Sequence, residues 1–163
     1  MPGSTRPATD CTIDRAVRVT PDLVAAFAEL VPQLSPGRTP PGQAELQAIL
    51  DDERTHLLVA RTPDGTIAGA IALVFYRVPT GLRARIEDLI VSRSHRRLGL
   101  GEVLMQRTIH LAREQQAHVL DLTSNPSRGE ANRLYLTLGF QRWETNVYRM
   151  ILDAPPPDPA GGA

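Results

Sequence analysis

The pattern of hydrophobic and polar positions predicts a strand and two helices in the first third of the chain. Residues 12–19 alternate weakly between apolar and polar side chains, which is typical of a half-buried strand. Thr20 followed by Pro21 predicts the start of a helix that carries an apolar stripe of Leu, Val and Phe. Four prolines between residues 32 and 42 predict a loop, and residues 44–50 predict a second, short helix.

The rest of the pattern predicts a hairpin, a further strand, and then helices alternating with strands. A tight turn rich in Pro, Asp and Gly separates the two strands of the hairpin. Gly139 is typical of the residue that ends a helix. The predicted strands are 55–61, 67–78, 83–91, 118–123, 140–142 and 146–151, and the predicted helices are 99–116 and 128–138.

This order of elements predicts a mixed α/β fold with a central, mostly antiparallel sheet of six to seven strands flanked by helices. A long antiparallel meander is followed by a strand–helix–strand crossover, which places helices on the faces of the sheet. Residues 11–153 are expected to form a single domain. Residues 1–10 are expected to be a flexible leader, and residues 154–163, nearly all Pro, Gly, Ala and Asp, a disordered tail.

The composition narrows the classes of function. Lys and Arg together number 18, as do Asp and Glu, and every basic residue is Arg. A net charge of zero argues against a general nucleic-acid-binding protein, which needs a basic surplus. One cysteine, Cys11, excludes an internal disulfide, and scattered histidines show no metal spacing, so no metal site is predicted. Neither a membrane span nor a signal peptide is recognised, so we predict a cytoplasmic protein without membrane association.

The most informative motif is Arg-Arg-Leu-Gly-Leu-Gly at residues 96–101, between an apolar strand and an amphipathic helix. The first backbone N–H groups of a helix have no partners within it, and the helix dipole adds partial positive charge there. Because glycine lets a phosphate approach the backbone closely, the motif predicts a pyrophosphate site. The spacing differs from that of the P-loop, and Leu104 stands where the dinucleotide-binding fingerprint needs its third glycine.

Two motifs together resemble the signatures of the GNAT superfamily of acetyltransferases. Arg96-x-x-Gly99-x-Gly101 is similar to the Arg/Gln-x-x-Gly-x-Gly/Ala motif that binds the pyrophosphate of acetyl-CoA in that family. Asn125, the Ala-x-x-x-Tyr run that ends at Tyr135 and a following Gly-Phe pair are similar to a second block. The resemblance implies a GNAT fold in which two splayed strands hold acetyl-CoA, and an enzyme that transfers its acetyl group to a primary amine.

The resemblance also implies roles for individual residues. Tyr135 matches the tyrosine that protonates the departing thiolate of CoA, and phenols are protonated at neutral pH. Glu87 is the preferred general base and Asp88 the alternative, because strand alternation turns the two carboxylates to opposite faces unless a bulge intervenes. Backbone groups around Ile90 are expected to hold the pantetheine arm and the acetyl carbonyl, and N–H groups of residues 97–102 the pyrophosphate. The residues implied in acetyl-CoA binding are Leu89, Ile90, Val91, Arg96, Arg97, Leu98, Gly99, Leu100, Gly101, Glu102, Asn125, Arg128, Asn132 and Tyr135.

The sequence leaves the acceptor amine open. A small molecule, an amino acid and a peptide N-terminus all fit the motifs, whereas the Pro-rich loop has Arg38 and no acidic cluster that would favour a polycation. A non-catalytic module that binds or senses acetyl-CoA is the alternative function, but such a module would need neither Tyr135 nor Glu87. No nucleic-acid partner is predicted, and the chain is expected to be a monomer or a homodimer.

Overall fold

The elements of the computed structural model follow the hydrophobic pattern as far as the last predicted helix. The structure describes residues 10–153. Residues 1–9 of the predicted leader and the whole predicted tail, 154–163, lie outside the described residues. The strands are β1 (Thr12–Arg15), β2 (Thr55–Arg61), β3 (Ile67–Val78), β4 (Gly81–Val91) and β5 (Val119–Asp121), and the helices are α1 (Pro21–Leu34), α2 (Gln43–Asp51), α3 (Leu100–Glu114) and α4 (Gly129–Thr137).

Helix α1 begins at Pro21 after an extended Thr20, as the sequence predicts. Proline suits the first turn because it lacks the N–H that the helix would leave unpaired. The predicted start of a loop at Pro32 is wrong, because the helix continues past this residue. The Ser35 N–H still donates to the carbonyl of Val31 at 2.8 Å, so a proline in the last turn removes only one helical hydrogen bond.

The strands form one five-stranded sheet in the order β1-β2-β3-β4-β5. Neighbouring strands are antiparallel except β4 and β5, which are parallel and are connected through α3. Parallel neighbours need a crossover connection of this kind. The predicted mixed, mostly antiparallel sheet is therefore confirmed, with five strands instead of six to seven.

Helices α1 and α2 cover one face of the sheet, and α3 packs on the other. A side chain at Gly69 in β3 would place its Cβ 3.2 Å from Cδ1 of Leu104 in α3 and 2.9 Å from the carbonyl oxygen of Ile90. The glycine therefore allows α3 to approach the sheet closely. The buried cluster on the α1 and α2 face contains Leu23, Phe27, Leu30, Leu46, Leu57, Val59, Ile67, Ala70 and Ile90.

The described residues form two compact units, the first ending at Arg128 and the second beginning at Gly129. In the second unit, Gly139 follows α4 with a φ of 93°, the left-handed conformation expected of a glycine that ends a helix. None of the helices in residues 10–153 has both the length and the apolar character needed to cross a membrane.

The final strands predicted at residues 140–142 and 146–151 are wrong. Within the described residues, neither a strand nor a helix follows α4. The apolar residues that suggested strands there remain exposed, with 78% of Trp143, 66% of Val147 and 88% of Tyr148 accessible to solvent. A strand is stabilised when one of its faces is buried, and this segment gains no such burial.

Candidate active site

A β-bulge interrupts β4 next to its two carboxylates. The pairing of β3 with β4 shifts by one residue, so that Ile71 lies opposite both Asp88 and Leu89. Asp88 has a φ of 52°, in the left-handed region. This conformation is uncommon except for Gly, Asn and Asp, and it accommodates the extra residue. The bulge also changes the alternation of β4, so sequence parity no longer tells which face each later residue takes.

Asp88→Ala is expected to destabilise the protein by about 1 kcal/mol relative to Asp88→Gly. The left-handed conformation costs about 1–2 kcal/mol for a residue with a Cβ and no local hydrogen bond, whereas glycine adopts it freely. Chemical denaturation measures the difference. Glu87 is not left-handed, so there the Ala variant should be more stable than the Gly variant. Equal stability of the two variants at position 88 would contradict a left-handed bulge.

Beyond the bulge, Leu89 and Val91 direct their backbone groups away from β3. The Ser92 N–H donates to the carbonyl of Ala68 in β3 at 2.8 Å. Hydrogen-bonding residues alternate along an antiparallel strand, so the backbone of Ile90 also faces β3. The N–H and C=O groups of Leu89 and Val91 consequently point to the opposite edge of β4.

Strand β5 leaves β4 before the bulge. The last pair in their parallel register is Arg85 opposite Asp121, whereas β4 continues to Val91. On the edge beyond this pair, the carbonyl of Val91 accepts a hydrogen bond from Nε of Arg96 at 3.1 Å. The two strands thus part just before the bulge, and the backbone of the last β4 residues lines the opening.

The loop after β4 is held by polar contacts. The Arg93 N–H donates to Oε1 of Gln33 in the last turn of α1 at 2.9 Å. The Ser94 hydroxyl lies 2.9 Å from Nδ1 of His95 within a single turn of 3-10 helix, Arg93–His95. These contacts fix the path by which the chain enters α3.

Two left-handed residues stand in the short segment between this turn and α3: Arg97, at a φ of 63°, and Gly99, which caps α3 at 80°. Arg96 before them is extended, with a φ of −70°. Left-handed residues occur in the turns whose successive N–H groups form anion-binding concavities called nests, and residues 96–99 are called the nest below. Leu98 is half-buried and Leu100 is buried, so these two residues offer a ligand their backbone and not their side chains.

Helix α3 presents its first N–H groups beside the nest. Its first hydrogen bond runs from the Val103 N–H to the carbonyl of Gly99 at 3.2 Å, so the N–H groups of residues 100–102 have no acceptor within the helix. Nε2 of Gln106 donates to the Glu102 carboxylate at 3.1 Å and draws it along the helix. The nest, the positive end of the helix dipole and the adjacent arginines have the charge and the N–H donors that a pyrophosphate needs, and the pyrophosphate site itself stays a prediction.

The two carboxylates of β4 have different surroundings. The Glu87 carboxylate accepts a hydrogen bond from Nε of Arg85 in an exposed ion pair. Although Asp88 is exposed overall, protein atoms displace part of the water around its carboxyl. This desolvation and the charge of Glu87 raise the pKa of Asp88, and the charge of Arg38 acts in the opposite direction. A carboxylate with a raised pKa is the better proton acceptor near neutral pH.

The segment after β5 contains one predicted ligand and one residue that the sequence analysis missed. Oδ1 of Asn125 accepts a hydrogen bond from the Ser127 N–H at 2.9 Å, and its carbonyl accepts one from the Arg128 N–H at 3.0 Å. The hydroxyl of Ser124 is buried and has no hydrogen-bond partner within residues 10–153. A buried polar group without a partner is costly, which marks Ser124 as a possible ligand contact. Its only signal in the sequence is its place beside Asn125.

Two further predicted residues, Asn132 and Tyr135, lie on α4 in the second unit. Tyr135 is 8% exposed, and its ring meets the ring of Phe140 edge-on at a centroid distance of 6.2 Å. The Phe140 N–H also donates to the carbonyl of Tyr135 at 3.0 Å. These contacts hold the tyrosine within its unit, and the predicted roles of both α4 residues stay predictions.

No group of three or more His, Cys, Asp and Glu side chains that could bind a metal ion occurs between residues 10 and 153. The structure instead brings the bulge, the open β4 edge and the nest together along residues 87–102, around the end of one strand.

Comparison with known proteins identifies related sequences and folds. A model of the acetyltransferase (GNAT) family matches residues 23–140, whereas no curated protein sequence matches the chain. A Trypanosoma brucei acetyltransferase of known structure superposes with a TM-score of 0.72 at 23% identity, covering 87% of this chain and 100% of the other. An aminoglycoside acetyltransferase from an uncultured soil metagenomic sample superposes with a TM-score of 0.75 at 17% identity, covering 88% and 97%. AAC(6')-Iy, solved with a bisubstrate analogue of CoA, superposes with a TM-score of 0.69 at 18% identity, covering 86% and 97%.

At these identities the solved structures establish the fold that this chain shares with them. The family match goes further, because it spans most of the chain and includes the bulged strand, the nest and Tyr135. The chain belongs to the GNAT acetyltransferase family.

Proposed function

We propose that the protein is an N-acetyltransferase that moves the acetyl group of acetyl-CoA to a primary amine. The observation that carries the proposal is the succession, within residues 87–102, of a bulged and open strand edge and an anion-binding nest. Family membership supports acetyl transfer as the reaction. The open edge suits an extended, amide-bearing arm, and the nest suits the pyrophosphate to which that arm is joined in CoA.

The residues around the open edge fit acetyl-CoA in charge and hydrogen-bonding character. The nest and the charges of Arg96 and Arg97 match the pyrophosphate. The backbone groups of Leu89 and Val91 match the amides of pantetheine, which can pair with the edge as an added strand does. The buried hydroxyl of Ser124 lies after the strand that leaves this edge and would gain a partner from a polar arm. When bound, acetyl-CoA supplies an activated thioester.

The residues of the chain are proposed to stabilise developing charge and to move protons. A backbone N–H of Leu89 or Val91 donates to the acetyl oxygen as negative charge develops on it. A β4 carboxylate, Glu87 or Asp88, takes a proton from the amine, directly or through water, while the nitrogen–carbon bond forms. The carbon–sulfur bond breaks, and Tyr135 gives its proton to the sulfur, a role carried over from the family resemblance.

We propose that the acceptor is a small monoamine, an amino acid or a peptide N-terminus. The loop between α1 and α2 brings Arg38 near Asp88 and has no acidic residue of its own. A polycationic acceptor would therefore meet positive charge on entry. Two of the similar structures are named as an aminoglycoside acetyltransferase, so aminoglycosides belong in the test panel, where we expect monoamines to be the better substrates.

Acetyl-CoA is expected to raise the melting temperature of the purified protein. At about 100 times its dissociation constant, a ligand stabilises the folded state by roughly 2.7 kcal/mol. For a domain of this size that corresponds to a rise of about 5–10 °C. Thermal melts with acetyl-CoA, with CoA and with adenosine measure the effect, and adenosine is the matched control because it lacks the pyrophosphate.

The account of the nest requires that CoA and acetyl-CoA stabilise the protein and that adenosine does not. An equal rise in melting temperature with all three compounds would indicate that the adenosine part provides the binding energy. No rise at millimolar acetyl-CoA would contradict the proposed site.

A further inference from the structure

Glu87 and Asp88 are neighbours in sequence, but the bulge gives them different positions. Glu87 lies opposite Ala72, which packs against the buried cluster under α1 and α2. Side chains directly opposite each other share a face of the sheet, so Glu87 lies on that face. Asp88 is the left-handed residue of the bulge and shares its β3 partner, Ile71, with the next residue.

Arg85 holds Glu87 and also reaches the segment after β5. Its Nε donates to the Glu87 carboxylate, and its Nη2 donates to Oγ1 of Thr123 at 3.2 Å. The same arginine is the last β4 residue that pairs with β5. The guanidinium of Arg85 therefore bridges the two strands at the point where they separate. The Glu87 carboxylate fixes the orientation of this planar group.

This arrangement already occupies the Glu87 carboxylate. Its hydrogen bond from Nε of Arg85 would have to break before Glu87 could approach the amine.

Asp88 has the electrostatic surroundings of a base. Partial desolvation raises its pKa first, and the adjacent charge of Glu87 raises it further. The opposing charge is Arg38, from the loop between α1 and α2. Asp88 is thus within electrostatic reach of the loop in which we place acceptor recognition.

We propose that the two carboxylates have separate tasks: Asp88 receives the proton of the acceptor amine, and Glu87 orients Arg85, which ties β4 to Thr123 where the strands separate. The proposal rests on the proposed acetyl transfer. The proton passes from the amine nitrogen to the Asp88 carboxylate as the nitrogen bonds to the acetyl carbon, and the departing sulfur takes its proton from the general acid. Arg85, Glu87 and Thr123 are positioning residues in this scheme.

Asp88→Asn is the variant that tests the proton acceptor. Asparagine tolerates the left-handed conformation and keeps the shape of the side chain, so the bulge is retained and the base is lost. We expect kcat to fall by about 100-fold and the affinity for acetyl-CoA to change little. Glu87→Gln, the matched control, should lower kcat by only a few-fold.

Thr123→Val tests the tie between the strands, the hydrogen bond from Arg85 to Thr123, and leaves both carboxylates in place. Loss of one hydrogen bond that positions the edge should weaken acetyl-CoA binding by about 5-fold, measured calorimetrically, with kcat nearly unchanged. Arg85→Lys keeps the charge but cannot span both partners, so it should weaken binding to the same extent. The double variant should lose no more than either single variant, since both remove the same tie.

The closing experiment combines pH–rate profiles with a titration of the side-chain carboxyls by carbon-detected NMR in protein labelled at Asp and Glu. We expect the Asp88 carboxyl to titrate above the usual aspartate range. Glu87→Gln should lower its pKa because a like charge is removed, and Arg38→Gln should raise it because an opposite charge is removed. The rising limb of kcat with pH should follow the same shifts.

Each outcome decides between the possibilities. Suppose that the wild-type protein transfers acetyl to an amine, that kcat falls about 100-fold in Glu87→Gln, and that kcat does not fall in Asp88→Asn. The assignment of tasks is then overturned, and the proposed function stands. If the wild type transfers acetyl to no amine, the function and the task of Asp88 fall together. If Thr123→Val and Arg85→Lys leave acetyl-CoA affinity unchanged, the tie is overturned whether or not transfer occurs.

Discussion

Gly101→Asp is expected to lower the affinity for acetyl-CoA by about 100-fold or more. Gly101 is the second residue of α3, where the N–H groups of residues 100–102 have no acceptor within the helix. A carboxylate placed there would stand beside the proposed pyrophosphate. Two unit charges about 5 Å apart at an effective dielectric constant of about 20 repel by roughly 3 kcal/mol, which corresponds to about two orders of magnitude in binding.

Two control variants separate charge from shape. Gly101→Ala adds a Cβ without charge and should keep most of the affinity. Gln115→Glu adds the same charge just after the last residue of α3, at the end of the helix away from the nest, and should reduce affinity only slightly. Calorimetric titration with acetyl-CoA measures all three variants, and normal binding to Gly101→Asp would place the pyrophosphate elsewhere.

Tyr135→Phe is expected to reduce kcat by about 100-fold while the affinity for acetyl-CoA stays within a few-fold. General acid catalysis contributes roughly 100- to 10,000-fold, and this substitution removes only the hydroxyl that supplies the proton. The aromatic contact with Phe140 and the hydrogen bond from its N–H to the Tyr135 carbonyl do not need that hydroxyl. The folded unit should therefore survive the change.

Tyr148→Phe is the matched control, because Tyr148 is 88% exposed and should have no role in the reaction. Steady-state kinetics at saturating amine compare the two variants. If Tyr135→Phe keeps the turnover of the wild type, another group or water protonates the departing sulfur and Tyr135 is a packing residue.

Features that depend on residues close together in the sequence were predictable. The start of α1 follows from Thr20 and Pro21, whose backbone preferences act within one turn. The nest follows from the glycines of residues 96–101 and from the helix after them, and the structure adds the left-handed conformation of Arg97. A pyrophosphate site built from backbone N–H groups depends on such local geometry, and this dependence explains why a short motif can indicate it.

Features that depend on pairing between distant segments were not predictable. The bulge exists because Ile71 lies opposite two residues of β4, and no neighbour of Asp88 in the sequence determines that register. The same limit explains the failed strands after α4. Val147 and Tyr148 have strong strand propensity, but propensity without burial does not make a strand.

The roles of the two carboxylates show the same limit at the level of single residues. Both lie side by side in the sequence, and alternation alone cannot tell which one is free to accept a proton. Only the bond from Arg85 to Glu87 and the raised pKa of Asp88 distinguish them.

The measurement that tests the central claim most directly is the recovery of an N-acetylated amine from the purified protein. The protein is incubated with acetyl-CoA labelled in the acetyl group and with a panel of monoamines, amino acids, peptides and aminoglycosides, while released CoA thiol is counted. The chain has no lysine, so its own side chains cannot take up label as acetyl-lysine. We predict that label enters at least one monoamine in equal amount to the thiol released. Binding of acetyl-CoA without labelled product from any amine would contradict the account and would indicate a module that only binds acetyl-CoA.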